Sequence, residues 1–121
     1  MRRTCPTCRQ PWPAAFRLPP VPRVRGLHHI TEAVAAFYGM TAEAVRSHRE
    51  RFYHAPIRQL AMRLMLDSSP AVTLVAVGRE LGGRDHSTVN YGARRAAQRM
   101  AANPEMRADY LELRRLLETA A

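Results

Sequence analysis

Apolar residues recur at three- and four-residue spacing from His28 almost to the end of the chain, and the rhythm breaks at glycines, prolines and capping residues. Ile30, Val34 and Phe37 form a first helical stripe, which Gly39 ends. Thr41 suits the N-cap of a short second helix carrying Ala44 and Val45. The rhythm then lapses across Ser47-His48-Arg49-Glu50-Arg51-Phe52-Tyr53-His54, which reads as a charged link. Pro56 fits the first turn of a third helix with Ile57, Leu60, Ala61 and Leu64 inward, and Asp67-Ser68-Ser69-Pro70 closes it.

Thr73 then caps a short helix holding Leu74, Val77 and Leu81, and Gly82-Gly83 can take the left-handed conformation that ends it. A longer helix follows almost at once. Asp85 is its natural N-cap, Val89, Ala93, Ala96 and Met100 form its inward stripe, and Ser87, Tyr91, Arg94, Arg95 and Gln98 lie opposite. Asn103-Pro104 restarts a last helix with Met106, Tyr110, Leu113 and Leu117 inward. No segment alternates with period two, so the expected fold is all-α.

Residues 1–27 differ in kind. They hold most of the prolines and six arginines with no acid, a composition that cannot build a packed core alone. The division expected is an extended basic arm over 1–27 and a helical domain over 28–121. Trp12 and Phe16 in the arm are expected to fold back on the core rather than to serve as stacking platforms.

Charge narrows the partners. With 19 basic against 10 acidic residues the chain carries +9, which favours polyanions, nucleic acid first. The arm accounts for six of those charges, so the helical part is only mildly basic and its charge must be localised to act. Every cation is arginine, which excludes lysine chemistry and a Walker A loop. The abundance of Ala, Arg and Pro is also what a GC-rich genome encodes, which explains Arg in place of Lys but not the positive surplus. No run approaches the roughly 18 apolar residues of a membrane helix, and the basic start leads into Pro and Arg rather than an apolar signal core. A cytoplasmic, nucleoid-associated protein is expected.

Two short helices joined by a glycine turn, the second longer and polar outside, have the helix-turn-helix layout, whose second helix enters the DNA major groove. His86, Ser87 and Thr88 have the size to touch base edges or phosphates, with Arg84, Arg94 and Arg95 flanking them on the backbone. No nucleophile is readable beside the Asp85-His86 pair, because Ser87 follows directly and the three diverge at a helix start. The expectation is a double-stranded DNA binder and not an enzyme.

The segment Gly82-Gly83-Arg84-Asp85-His86-Ser87-Thr88-Val89 resembles the signature of the C-terminal DNA-binding domain of the bacterial chromosomal replication initiator DnaA. The similarity continues through Val77-Gly78, Arg58-Gln59-Leu60-Ala61-Met62 and the helix order from His28 to about Thr119. It implies a six-helix, Trp-repressor-like domain that binds a short asymmetric duplex, with the recognition helix in the major groove and a basic loop in the minor groove. On matching positions it implies base contacts from Asp85, His86 and Ser87, and phosphate contacts from Arg58, Gln59, Thr88 and Arg95.

Two places depart from that family's pattern. Glu50 stands where a minor-groove arginine is usual, so either Arg49 or Arg51 takes that role or minor-groove reading is reduced and the recognised sequence differs, and Asn90-Tyr91 replaces other residues on the recognition helix. Asn90 is accordingly a candidate base contact and Tyr91 a candidate phosphate contact. The family's initiators carry an ATPase module ahead of this domain, whereas the arm alone precedes it here. That implies a transcription regulator or an accessory or phage-type replication factor with no need of ATP or a small-molecule substrate.

Cys5-Pro6-Thr7-Cys8 has the spacing of half a zinc knuckle. Closing it within one chain requires His28 and His29, neighbours whose side chains diverge on a regular helix. A site shared between chains, a relic knuckle, a redox pair and two inert thiols stand beside that reading. No cofactor is required by the DNA reading itself. The alternative function is a protein-interaction adaptor that recruits a partner through the knuckle and arm, and a third is non-specific nucleic-acid binding by the arm. His48 and His54 are expected as residues of the basic link, either solvated or near phosphate.

Overall fold

The computed structural model describes residues 26–48 and 51–119, with 51–53 described by their backbone alone. They form six helices and no strand: α1 (Leu27–Phe37), α2 (Ala42–Arg46), α3 (Arg51–Ser68), α4 (Leu74–Glu80), α5 (His86–Ala102) and α6 (Pro104–Thr119). The expected arm apart from Gly26 and Leu27, with both cysteines, lies outside the described residues, and Leu27 already belongs to α1.

The capping residues act as their chemistry predicts. Thr41 Oγ1 accepts from the Ala44 amide at 3.1 Å, and Thr73 Oγ1 accepts from the Ala76 amide at 3.1 Å. Gly39, Gly82 and Gly83 all have positive φ, so each chain reversal that the sequence marked with glycine uses the left-handed region. Asn103 Oδ1 accepts from the Glu105 amide at 2.9 Å and opens α6 behind Pro104.

One boundary needs correcting. The charged link expected over 47–54 is shorter, because α3 already begins at Arg51 and Pro56 lies inside the helix rather than in its first turn. His54 is therefore a helical residue and not a loop residue. A proline there removes one bond to the carbonyl four residues earlier, at up to about 3 kcal/mol. Burial of Leu60, Leu64, Met65 and Leu66 on the same helix, at roughly 1.5–3 kcal/mol each, outweighs it.

Helix α3 is the axis of the domain. Every residue from Leu60 to Leu66 is buried, which makes it apolar-packed all round rather than along the single stripe expected. Its most extensive partner is α5. That closeness depends on Gly92, where a Cβ would meet Met62 Sδ at 2.3 Å and Gln59 Cγ at 3.1 Å. The inward stripe of α5 is as expected, with Val89, Ala93, Ala96 and Met100 buried and Ala97 joining them. Tyr110, Leu113 and Leu117 of α6 close the core from the other side.

The core also holds charge that the pattern did not reveal. Arg63 is 1% exposed and donates from Nε to Asp67 Oδ2 at 2.9 Å, while the Tyr110 hydroxyl donates to the same oxygen. Burial pushes the Asp67 carboxyl above its usual range, against the pull of Arg63. Arg114 is also buried and lies over the Tyr110 ring at 5.9 Å.

Candidate nucleic-acid interface

The candidate reading head is the first turn of α5, and its pose begins with the turn before it. The Arg84 amide donates to the Gly78 carbonyl at 2.8 Å, folding the chain back on α4. A Cβ on Gly78 would sit 2.0 Å from the Arg84 carbonyl oxygen, so only glycine lets the turn approach this closely. At Gly82, φ is +80° and a Cβ would stand 2.5 Å from the Arg46 carbonyl. Two different constraints thus demand glycine at these positions.

Asp85 caps α5 with its carboxylate, accepting from the Ser87 amide at 3.1 Å and from the Ser87 hydroxyl. Those two bonds, the hydroxyl first, hold its carboxyl below the ordinary carboxylate range, so Asp85 is an anion. His86 Nδ1 lies 3.4 Å from Asp85 Oδ1, which leaves the imidazole edge beyond Nδ1 turned from the cap. Ser87 and Thr88 are exposed beside them. An acceptor, an imidazole and two hydroxyls stand at one helix end, the types that read base edges and phosphates.

Further along α5 the exposed face continues with Tyr91, which is 61% exposed, and with Arg94, Arg95 and Gln98. Arg95 Nη1 donates to Gln98 Oε1 at 2.9 Å. Asn90 stands at the border of this face, half-buried and with its side-chain oxygen enclosed.

Sequence reasoning missed Arg99. Its Nη1 donates to Gln59 Oε1 across the α3–α5 contact, which turns the Gln59 amide nitrogen away from Arg99. Burial first, and then repulsion from Arg95, depress the Arg99 guanidinium below the ordinary arginine value. The signal was available, since 95 and 99 share a helix face at a spacing of four.

Two residues expected as phosphate contacts have their guanidiniums on backbone carbonyls. Arg58 is 5% exposed, and it donates from Nε to the Val45 carbonyl at 2.8 Å and from Nη2 to the Ser47 carbonyl at 2.9 Å. Burial lowers its pKa. Arg84 donates from Nη1 to the Arg46 carbonyl at 2.8 Å and to the Leu81 carbonyl, and from Nη2 to the Ser47 carbonyl at 2.8 Å. In return, Arg46 Nε donates to the Glu80 carbonyl at 3.0 Å, and its Nη2 meets Glu80 Oε2 at 2.5 Å. Glu80 Oε2 also accepts from the Thr31 hydroxyl at 2.8 Å. His48 Nε2 is 2.8 Å from the Gly82 carbonyl, where only its protonated nitrogen fits.

Of the remaining candidates, Arg49 lies outside the described residues, and Arg51 is described only as the backbone start of α3. Cys5 and Cys8 lie outside them as well. His28 and His29 do not diverge: their rings tilt together with centroids 4.1 Å apart. Among the described residues, no three His, Cys, Asp or Glu side chains form a group able to hold a metal, and no helix is long and apolar enough to cross a membrane.

Comparison with known proteins agrees with this geometry. The family model described as the bacterial DnaA protein helix-turn-helix matches residues 27–96, from the start of α1 into α5. The chromosomal replication initiator protein DnaA of Chloroflexus aurantiacus is 33% identical over 90 residues, which cover 74% of this chain and 18% of that protein. The Thermomicrobium roseum protein of the same name is 40% identical over 80 residues, 65% of this chain and 17% of its own length. That of Neisseria gonorrhoeae is 34% identical over 89 residues, 74% of this chain and 17% of its own. The chain thus spans less than a fifth of the length of the curated relatives it matches, and the part it spans is the helical domain described above. The reversal at Gly82-Gly83, the Asp85 cap and the matched span together place this chain in the bacterial DnaA helix-turn-helix family.

Proposed function

We propose that the chain binds double-stranded DNA with sequence preference, inserting the first turn of α5 into the major groove. Asp85, His86 and Ser87 read base edges, with Asn90 at the border of that face, while Thr88, Tyr91, Arg94 and Arg95 meet phosphates along the helix. The reading is carried by one observation: a helix start rich in short donors and acceptors stands exposed, held in place by a turn that tolerates only glycine at Gly78 and Gly82. The family match supports it. An anionic Asp85 accepts from a cytosine or adenine amino group and repels a misplaced phosphate, so it favours one register on the duplex. We propose a binding rather than catalytic role, as a transcription regulator or an accessory or phage-type replication factor acting at initiator-type boxes.

Selection of bound duplexes from a random-site pool at moderate salt tests this directly. Wild-type protein is expected to enrich a short asymmetric site. His86→Ala combined with Ser87→Ala is expected to weaken that site by roughly 1–3 kcal/mol per lost base contact and to relax its sequence. Enrichment of no duplex at all would sink the proposal.

A further inference from the structure

The carbonyls that end α2 are not satisfied by a glycine cap. Ser47, which follows the helix, is extended with φ −62° and ψ 143°. The Val45, Arg46 and Ser47 carbonyls instead receive donors from two guanidiniums, Arg58 of α3 and Arg84 of the α4–α5 turn, which converge on the Ser47 oxygen. The arrangement is reciprocal, because Arg46 returns a donor to the Glu80 carbonyl that ends α4. His48 adds a contact to Gly82 in the turn. Two helix C-termini therefore hold each other through arginines, and the second of them leads into the residue that precedes the Asp85 cap.

We infer that Arg84 and Arg58 are positioning residues, a clamp that sets the pose of the recognition helix rather than a pair of phosphate ligands. The inference rests on the DNA-binding reading above. Arg58 is nearly enclosed, and at least two of its nitrogens already donate to carbonyls. Arg84 uses both terminal nitrogens on three carbonyls from two segments, a task for a planar fork that a single ammonium cannot repeat. The carbonyl of Arg84 lies directly over Gly78, so a shift of its backbone is opposed from that side too. An element that must fit a groove within a fraction of an ångström gains affinity when its pose is set before binding.

Arg84→Lys and Arg84→Met in the full chain test the clamp, using the duplex that wild-type protein enriches from the random-site pool. Affinity is read as a function of salt, well below the melting temperature, with circular dichroism confirming that each variant is folded. The clamp predicts a loss of about tenfold or more in both variants, with the slope of log affinity against log salt unchanged and no rescue by lysine. A slope reduced by about one in Arg84→Met, with lysine restoring it, would make Arg84 a phosphate ligand and overturn the inference. Affinities within about twofold of wild type in the folded variants would overturn it as well, leaving Arg84 with stability alone. Should Arg84→Met fail to fold, Arg84→Lys decides alone, since it keeps the charge that a phosphate requires and loses the fork that the clamp requires. Wild-type protein that enriches no duplex would overturn the DNA reading itself, and the clamp's role with it, before any variant is compared.

Discussion

At the end of α2, Arg58 and Arg84 point into the protein and end on backbone carbonyls, whereas along the outer face of α5 Arg95 and Arg99 are half-exposed with glutamine oxygens as partners. The two regions share one residue type and use it in opposite ways. Inside, a guanidinium replaces the solvent that helix-end carbonyls would otherwise need, and its charge is committed. Outside, it sits beside a like charge, so an anion approaching Arg95 and Arg99 relieves repulsion as well as making contacts. Among the described arginines, position rather than number therefore decides which are open to an anion.

The sharpest way to break that contrast is to remove the acceptor of an inward arginine. Asp67→Ala takes away the buried carboxylate that Arg63 and Tyr110 share, so it is expected to cost about 3–5 kcal/mol, read as a fall in denaturant midpoint. An outward arginine should behave in the opposite manner. Arg95→Gln is expected to leave stability within about 0.5 kcal/mol of wild type, while lowering the magnitude of the salt slope for DNA by about one. A large stability loss there would erase the distinction between the regions.

The smallest effect expected is on titration. Burial and a carboxylate partner, Asp109 for Tyr38 and Asp67 for Tyr110, push both phenols well above their ordinary value. A folded-state pKa raised above the unfolded one gives stability that is complete below about pH 10 and is lost as pH rises beyond it, because only the unfolded chain releases those protons. Absorbance at alkaline pH should therefore show Tyr38 and Tyr110 ionising only as the fold is lost. Ionisation of Tyr38 or Tyr110 near pH 10 in a protein that remains helical would contradict their enclosure.

Much of this was legible along the chain. Thr41, Thr73 and Asp85 act as caps, Gly39, Gly82 and Gly83 take positive φ, and the stripe of α5 is inward as spaced. Local chemistry governs these features, so local sequence reports them. The start of α3 was misread because Pro56 is a strong local signal, and the burial that overrides it comes from helices distant in sequence. The buried Arg63 and Arg114 were invisible for a related reason: the four-residue spacing of Arg63 and Asp67 suits an exposed pair as well as a buried one, and Tyr110, which encloses the group, stands 43 residues from Asp67.

The reading head behaves likewise. By itself the sequence determined that the stretch from Gly82 to Val89 turns, caps and starts a helix with short polar groups foremost, because glycine conformation and N-cap chemistry act within a few residues. Only the tertiary structure decided which arginines end on backbone carbonyls and which lie on the outer face of α5. Arg58 and Arg84 look like surface cations until α2 brings its carbonyls to them across 11 to 38 residues of chain. A carbonyl left without a donor at a helix end is a property of packed helices, and no linear pattern of side chains records it.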